Sequence, residues 1–343
     1  MKQLKSICIL LMMTLLPLSM MANEHKEGEA LDIPEIVLHH LADAYEWHIV
    51  SDVSIPLPII IRSSQTGEWH FCTESSLPDG FFFNEEAHGK IYERMADGTV
   101  ERPLDLSITR NVLQIWISVA LLLTVFLCCA NWYKKHDKTS EAPKGFVGAM
   151  EMLVMMINDD VIKSSIGEKH YKKYAPYLLT VFFFIFFTNL LGLLPIFPGG
   201  SNVTGNINIT FFLALCTFLA INLFGNKEYW KEIFWPDVPI FLKAIPIMPA
   251  IELFGVFTKP FALMIRLFAN MMAGHAMILA FTCVIFLGWT LGPVMGTGLN
   301  IFSAIMLLFM NALELLVAFV QAYVFTMLSA VFIGLAHKEG HEG

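Results

Sequence analysis

From Val112 onward the chain is organised by five long apolar runs separated by short polar stretches. They run from Val112 to Tyr133, Tyr177 to Pro195, Ile207 to Gly225, Pro249 to about Gly288, and Leu299 to Ala336. A helix rises about 1.5 Å per residue and the hydrocarbon layer is about 30 Å thick, so roughly twenty apolar residues make one crossing. The first three runs suit single crossings. The last two, as straight helices, would reach on the order of 60 Å. Segments of that length tilt steeply, kink or break, and Pro260 offers a kink in the fourth. A turn near Pro293 pairs the two as an antiparallel hairpin. The pattern predicts an all-α polytopic membrane protein with five membrane helices, the last two a long hairpin, behind a small exported N-terminal extension.

Ahead of these runs, residues 23–110 read differently. Turn signals (Pro34, Pro78-Asp79-Gly80, Asp97-Gly98) punctuate strand-like runs such as Val53-Ser54-Ile55 and Ile59-Ile60-Ile61. This predicts a small α+β or partly irregular extension. At the start of the chain, Lys2 and Lys5 precede an apolar run from Ile7 to Leu16, too short to span, with small and polar residues up to Ala22. That is the pattern of a signal peptide over 1–22. An uncleaved anchor is the alternative, and either one exports the segment after Ala22. The predicted division is 1–22 signal peptide, 23–110 periplasmic extension, 111–337 membrane ion-translocating domain and 338–343 cytoplasmic tail.

Composition supports the membrane reading: 56% of the 343 residues are hydrophobic and the mean hydropathy is +0.60. The net charge of −8 conceals an asymmetry, because residues 23–110 carry 17 acidic and 6 basic side chains. An acidic outer segment with basic membrane loops describes a topology rather than a nucleic-acid partner. The stretch from Lys134 to Lys173 holds eight lysines, and Lys227, Lys231, Lys243 and Lys338 occupy later loops and the tail. The stretches Phe197–Asn206 and Trp289–Leu299 hold no lysine or arginine. By the positive-inside rule the chain enters from outside, crosses five times and ends in the cytoplasm of a bacterial inner membrane. Cys72 is the one cysteine outside the membrane segments and the signal run, so no internal disulfide is expected there. No metal-ligand spacing appears, His39 and His40 read as surface histidines, and neither a metal nor a cofactor is expected.

Glu252, Lys259, Arg266, His275 and Glu314 lie within or beside the last two runs. A charge at mid-membrane costs roughly 2.5–3.5 kcal/mol on insertion scales, so such residues usually face a water cavity or a partner. Glu252, Lys259 and Arg266 recur every seven positions and share a helix face, which Asn270 joins. Ala262, Ala269 and Ala273 flank the arginine, and small residues let another helix approach closely. Lys259 lies nearest the cytoplasmic interface, where it can simply snorkel. His275, nine residues beyond Arg266, points to the opposite side and lies about 13 Å further outward; Glu252 lies about 21 Å inward. Counting from Pro293, His275 matches Glu314 in depth and Arg266 matches Gln321. The first match predicts a proton-accepting pair; the second predicts a hydrogen bond that orients the arginine. An interhelical ion pair that merely joins two helices is the plainer alternative.

The run Arg266-Leu-Phe-Ala-Asn270-Met-Met-Ala-Gly274-His275 resembles the arginine motif of the a subunit of F-type ATP synthases. Glu314 through Gln321-Ala-Tyr-Val-Phe resembles the last-helix signature of that family. Tyr177-Leu-Leu-Thr, Asn189-Leu-Leu-Gly-Leu-Leu-Pro195 and Asn206-Ile-Asn208-Ile-Thr210 resemble its second and third spans. The resemblance covers about Leu104 to His337. It implies two long helices wrapped against a rotor ring whose subunits each bear a membrane carboxylate, with peripheral-stalk subunits as further partners in the ATP synthase complex. It also implies that Arg266 faces that carboxylate and separates two half-channels, and that Asn270, Gln321 and Glu252 occupy polar family positions. Protons are then expected to enter along Asn206, Asn208, His275 and Glu314 and to leave near Glu252, with no catalysis by this chain alone. Some bacterial members carry glutamate where His275 stands and histidine where Glu314 stands, so the order of transfer does not carry over. A self-contained secondary transporter is the rival reading, but it requires an internal repeat, and none is evident.

Overall fold

In the computed structural model, the described residues are 42–50, 53–84, 89–95, 97–136, 142–194, 199–234, 247–290 and 293–337. The predicted signal segment, His39–His40 and the tail 338–343 lie outside them. The chain divides into two compact units. One takes the residues up to Ser118 with Leu190–Val203 and Met272–Leu315; the other takes Val119–Asn189, Thr204–Met271 and Leu316–Gly343.

Within the first unit the extension is built of eight short strands: β1 (Glu46–Val50), β2 (Val53–Pro56), β3 (Ile59–Arg62), β4 (Trp69–Cys72), β5 (Phe81–Asn84), β6 (Lys90–Arg94), β7 (Val100–Glu101) and β8 (Leu104–Asp105). All pairings are antiparallel: β1 with β2, β3 between β4 and β8, and β6 between β5 and β7. Alternation decides which side is buried. Ile59 and Ile61 on β3 and Ile91 on β6 turn inward and pack with Tyr45, while Arg62 and Lys90 point to solvent. The buried carboxylate of Glu93 is satisfied by the Ser63 hydroxyl at 2.5 Å and the Ser64 N–H at 2.7 Å. The two strand-like runs of the sequence are β2 and β3. Among the described residues the extension is β with one 3₁₀ turn (Glu74–Ser76); residues 23–41 lie outside them.

The apolar runs form the helices α1 (Arg110–Lys135), α3 (Tyr171–Gly192), α4 (Ile207–Phe224), α6 (Ile247–Thr290) and α7 (Pro293–Ala336). All five are long and apolar enough to cross a membrane. Pro260 lies inside α6 without ending it, and Pro293 opens α7, where its missing N–H would have no helical partner anyway. Two further helices fall where the sequence read only loops. α2 (Gly145–Met155) runs on through a π-helical stretch, Met156–Lys163, and a last turn, Ser164–Ile166; α5 covers Lys227–Phe234. The stretch after Gly145 carries a helical apolar stripe of Met150, Ile157, Val161 and Ile166, all buried, opposite the exposed Asp159, Asp160 and Glu168.

The core of the second unit centres on α3. Leu178, Phe182, Phe183 and Ile185 are fully buried and join Ile157 and Ile162, Leu263, Leu267 and Met271 of α6, and Ala322 and Phe325 of α7. More than half of the most apolar stretch of α3 is buried (56%), against 17% for α1, so α3 is the centre and α1 is mostly free to face lipid. The end of α7 is fastened to the start of α3. Ile333 O accepts from His337 Nδ1 at 2.9 Å, leaving Nε2 to accept from the Tyr174 hydroxyl at 2.8 Å.

Candidate functional site

The first unit brings His275 and Glu314 into direct contact, Nδ1 of the imidazole against Oε1 of the carboxyl. Glu314 is 3% exposed, and apart from this imidazole neither of its oxygens meets a hydrogen-bond donor among the described residues. A Cβ at Gly274 would stand 3.1 Å from the carboxyl carbon of Glu314, so the pair closes because residue 274 carries no side chain. On its other side the ring places Nε2 3.3 Å from the Gly192 carbonyl. A carbonyl only accepts, so this contact selects the tautomer with hydrogen on Nε2. The proton between Nδ1 and Oε1 then has two seats. It rests on the carboxyl beside a neutral imidazole, or on an imidazolium beside a carboxylate. The two members are those that the count from Pro293 paired in the sequence.

The second unit holds Arg266 and Asn270 on α6. Leu263, Met264, Leu267 and Met271 of the same turns are buried inward. Arg266 and Asn270 are exposed, as are Ala262 and Ala269 beside them. Among the described residues no carboxylate pairs with Arg266. The expected hydrogen bond from Gln321 is not formed either: Gln321 is buried on α7 while the guanidinium is turned outward. Matching depth is not matching azimuth, and the helical phase that exposes Arg266 carries it away from the core.

Glu252 is half-buried near the start of α6. Burial pushes the nearby Tyr229 hydroxyl on α5 upward, and the charge of Glu252 adds to that shift. Lys259 lies over the Phe332 ring at 5.7 Å, an anchoring contact in keeping with snorkelling. Asn206 caps α4, its side-chain oxygen accepting from the Asn208 N–H at 3.0 Å, whereas the Asn208 side chain is exposed. Asn189 takes the Thr204 hydroxyl at 2.6 Å and donates to the Ala318 carbonyl at 3.4 Å, which locks α3 to α7. Among the described residues no group of three histidine, cysteine or acidic side chains is placed to hold a metal.

Five apolar helices that carry an ionisable pair and an exposed arginine define a multi-pass membrane protein with ionisable groups inside its spans. Residues 112–334 match the ATP synthase A chain family, and the chain belongs to that family. Residues 36–107, the extension, match a domain of unknown function, DUF8433. The chain is 46% identical over 249 residues to ATP synthase subunit a 2 of Prosthecochloris aestuarii, covering 70% of this chain and 72% of the relative. It is 44% identical over 239 residues to ATP synthase subunit a of Chloroherpeton thalassium, covering 68% and 67%. To ATP synthase subunit a of Myxococcus xanthus it is 41% identical over 263 residues, covering 74% and 79%. Membership makes this chain a stator component of the membrane sector of an ATP synthase.

Sequence reasoning passed over several residues that the fold gathers near the pair. Asn111 and Ser201 are hydrogen-bonded to each other, and Asn111 in turn meets Asp43 of the extension. Nothing in their spacing signals this, because the three lie on separate segments.

Proposed function

We propose that this chain conducts protons between the outer aqueous phase and the carboxylates of a rotor ring, with Arg266 separating two half-channels. Protons arrive through the His275–Glu314 relay, with Asn206 and Asn208 near the inlet, and neutralise a rotor carboxylate so that it can face lipid. After rotation that carboxylate meets Arg266. The nearby positive charge favours the ionised form, so the proton is released and leaves past Glu252. Arginine suits the separator because it stays protonated in an apolar setting where a lysine would titrate. Asn270 shares the exposed face of the arginine. On this reading residues 1–22 are a signal peptide, the extension is periplasmic, the C-terminus is cytoplasmic, and the membrane is a bacterial inner membrane.

The observation that carries the proposal is the open face around Arg266. A charge inside an apolar span, without a carboxylate partner among the described residues and flanked by alanines, is costly unless another helix supplies the opposite charge. Replacement tests it directly. Arg266→Ala is expected to abolish proton-driven ATP synthesis in the assembled complex while the subunit still incorporates. Synthesis at the wild-type rate would refute the separator role.

A further inference from the structure

A series of contacts, polar except where the Ser201 backbone packs on Gly192, leads outward from Glu314, all within the first unit. Glu314 meets His275, and His275 meets the Gly192 carbonyl. The Ser201 backbone lies against Gly192, where an added methyl would stand 3.1 Å from the Ser201 carbonyl. The Ser201 hydroxyl donates to Asn111 Oδ1 at the outer end of α1. The Asn111 N–H donates in turn to Asp43 Oδ1 at 3.1 Å. The series therefore begins on a carboxyl of the β extension and ends on the buried glutamate.

The inner face of α1 is polar where it adjoins this series. Between Arg110 and Ala120 the only buried positions are Asn111, Gln114 and Ser118, spaced to share one helix face, while Trp116 and Val119 are exposed. A span that packs by apolar contact would bury its leucines there instead. Gln114 is completely buried, and neither amide atom has a partner among the described residues. An unmet buried amide costs about 1–3 kcal/mol, and water admitted beside it removes that cost.

We propose that Asp43 is the outer, proton-collecting carboxylate of the inlet, feeding Glu314 through the series of Asn111, Ser201 and His275. The proposal rests on the reading of His275 and Glu314 as the relay. A proton from the outer phase binds the Asp43 carboxylate and neutralises it. It passes inward through the Ser201 hydroxyl and water beside Gln114 to the seat between the imidazole Nδ1 and the Glu314 carboxylate, and Asp43 returns to the anion. A fixed negative charge at the mouth of a low-dielectric path raises the local proton concentration and the capture rate. Burial pushes the Asp43 carboxyl above the usual carboxylate range, against the opposing pull of the Thr109 hydroxyl, the Asn111 N–H and the Arg110 charge. A carboxyl raised in this way takes up a proton at milder acidity.

The competing role for Asp43 is to pin the extension to α1, beside the Arg110 N–H bond to the Ala44 carbonyl at 2.9 Å. Asp43→Asn separates the two, because the amide oxygen still accepts from Asn111 but cannot carry the proton. In the whole complex reconstituted in liposomes, D43N should slow passive proton flux about tenfold, most strongly at alkaline outer pH, with thermal stability unchanged. D43E should restore the flux, and the exposed control D97N should match the wild type. If D43N conducts at the wild-type rate while Glu314→Gln does not, Asp43 only pins the extension and the proposal fails. If D43E is as slow as D43N, the effect is geometric and the proposal also fails. If Glu314→Gln conducts normally as well, the underlying relay reading falls with it.

Discussion

Glu314 occupies the space that a side chain at residue 274 would need, and this small steric fact governs its contact with His275. A branched side chain at Gly274 must push the carboxyl away from the imidazole, since even a Cβ would stand 3.1 Å from the carboxyl carbon. A displacement of about 1 Å in a transfer geometry costs on the order of 10²-fold in rate. Gly274→Val is therefore expected to cut proton flux through the complex by that order while leaving Arg266 in place; flux equal to that of the wild type would show that the contact does not limit conduction. Glu314→Gln keeps the shape but removes the titratable group, and should slow conduction with assembly intact. Arg266, His275 and Glu314 were all legible as charges in apolar runs, and the pairing of the last two came from counting outward from Pro293. Asp43 was not legible, because its partners Asn111 and Ser201 are distant in the chain and ordinary in composition. Counting also paired Gln321 with Arg266, but the helical phase of α6 exposes the arginine while Gln321 is buried.

Among the elements, α2 with its π-helical continuation is the one that pattern alone failed to find. Its apolar positions are interrupted by Glu151, Asp159, Asp160 and Lys163, so it looked like part of a basic loop. What holds it is packing: the Ser165 carbonyl lies directly against Gly334 of α7, where a Cβ would overlap it. Gly334→Val should therefore destabilise the subunit by about 1–3 kcal/mol, the range for forcing extra atoms into a packed contact. Thermal unfolding of the purified complex would measure it, and an unchanged midpoint would mean that α2 shifts at no cost. The five spans themselves needed no tertiary information, because length and hydropathy are properties of a segment. The β extension is intermediate. β2 and β3 announced themselves as runs of branched residues, whereas β7 and β8, two residues each, are strands only because β6 and β3 lie beside them.

For the whole molecule, the open face of α6 predicts a partner. Ala262, Ala269, Arg266 and Asn270 form a shallow surface that the described residues leave uncovered. Single cysteines at Ala262 or Ala269 should crosslink to the carboxylate-bearing helix of the rotor, and under turnover the label should spread over many ring copies. Labelling confined to one copy would argue against a moving partner. That the protein is a five-span membrane protein with an arginine inside its fourth span was determined by the sequence, since the free energy of placing a residue in lipid depends on the residue and its neighbours along one helix. Tertiary structure alone decided which polar groups meet. Contact between Asp43, Asn111 and Ser201, closure of Glu314 on His275 past Gly274, and the outward turn of Arg266 each depend on the packing of separate segments, which no local pattern encodes.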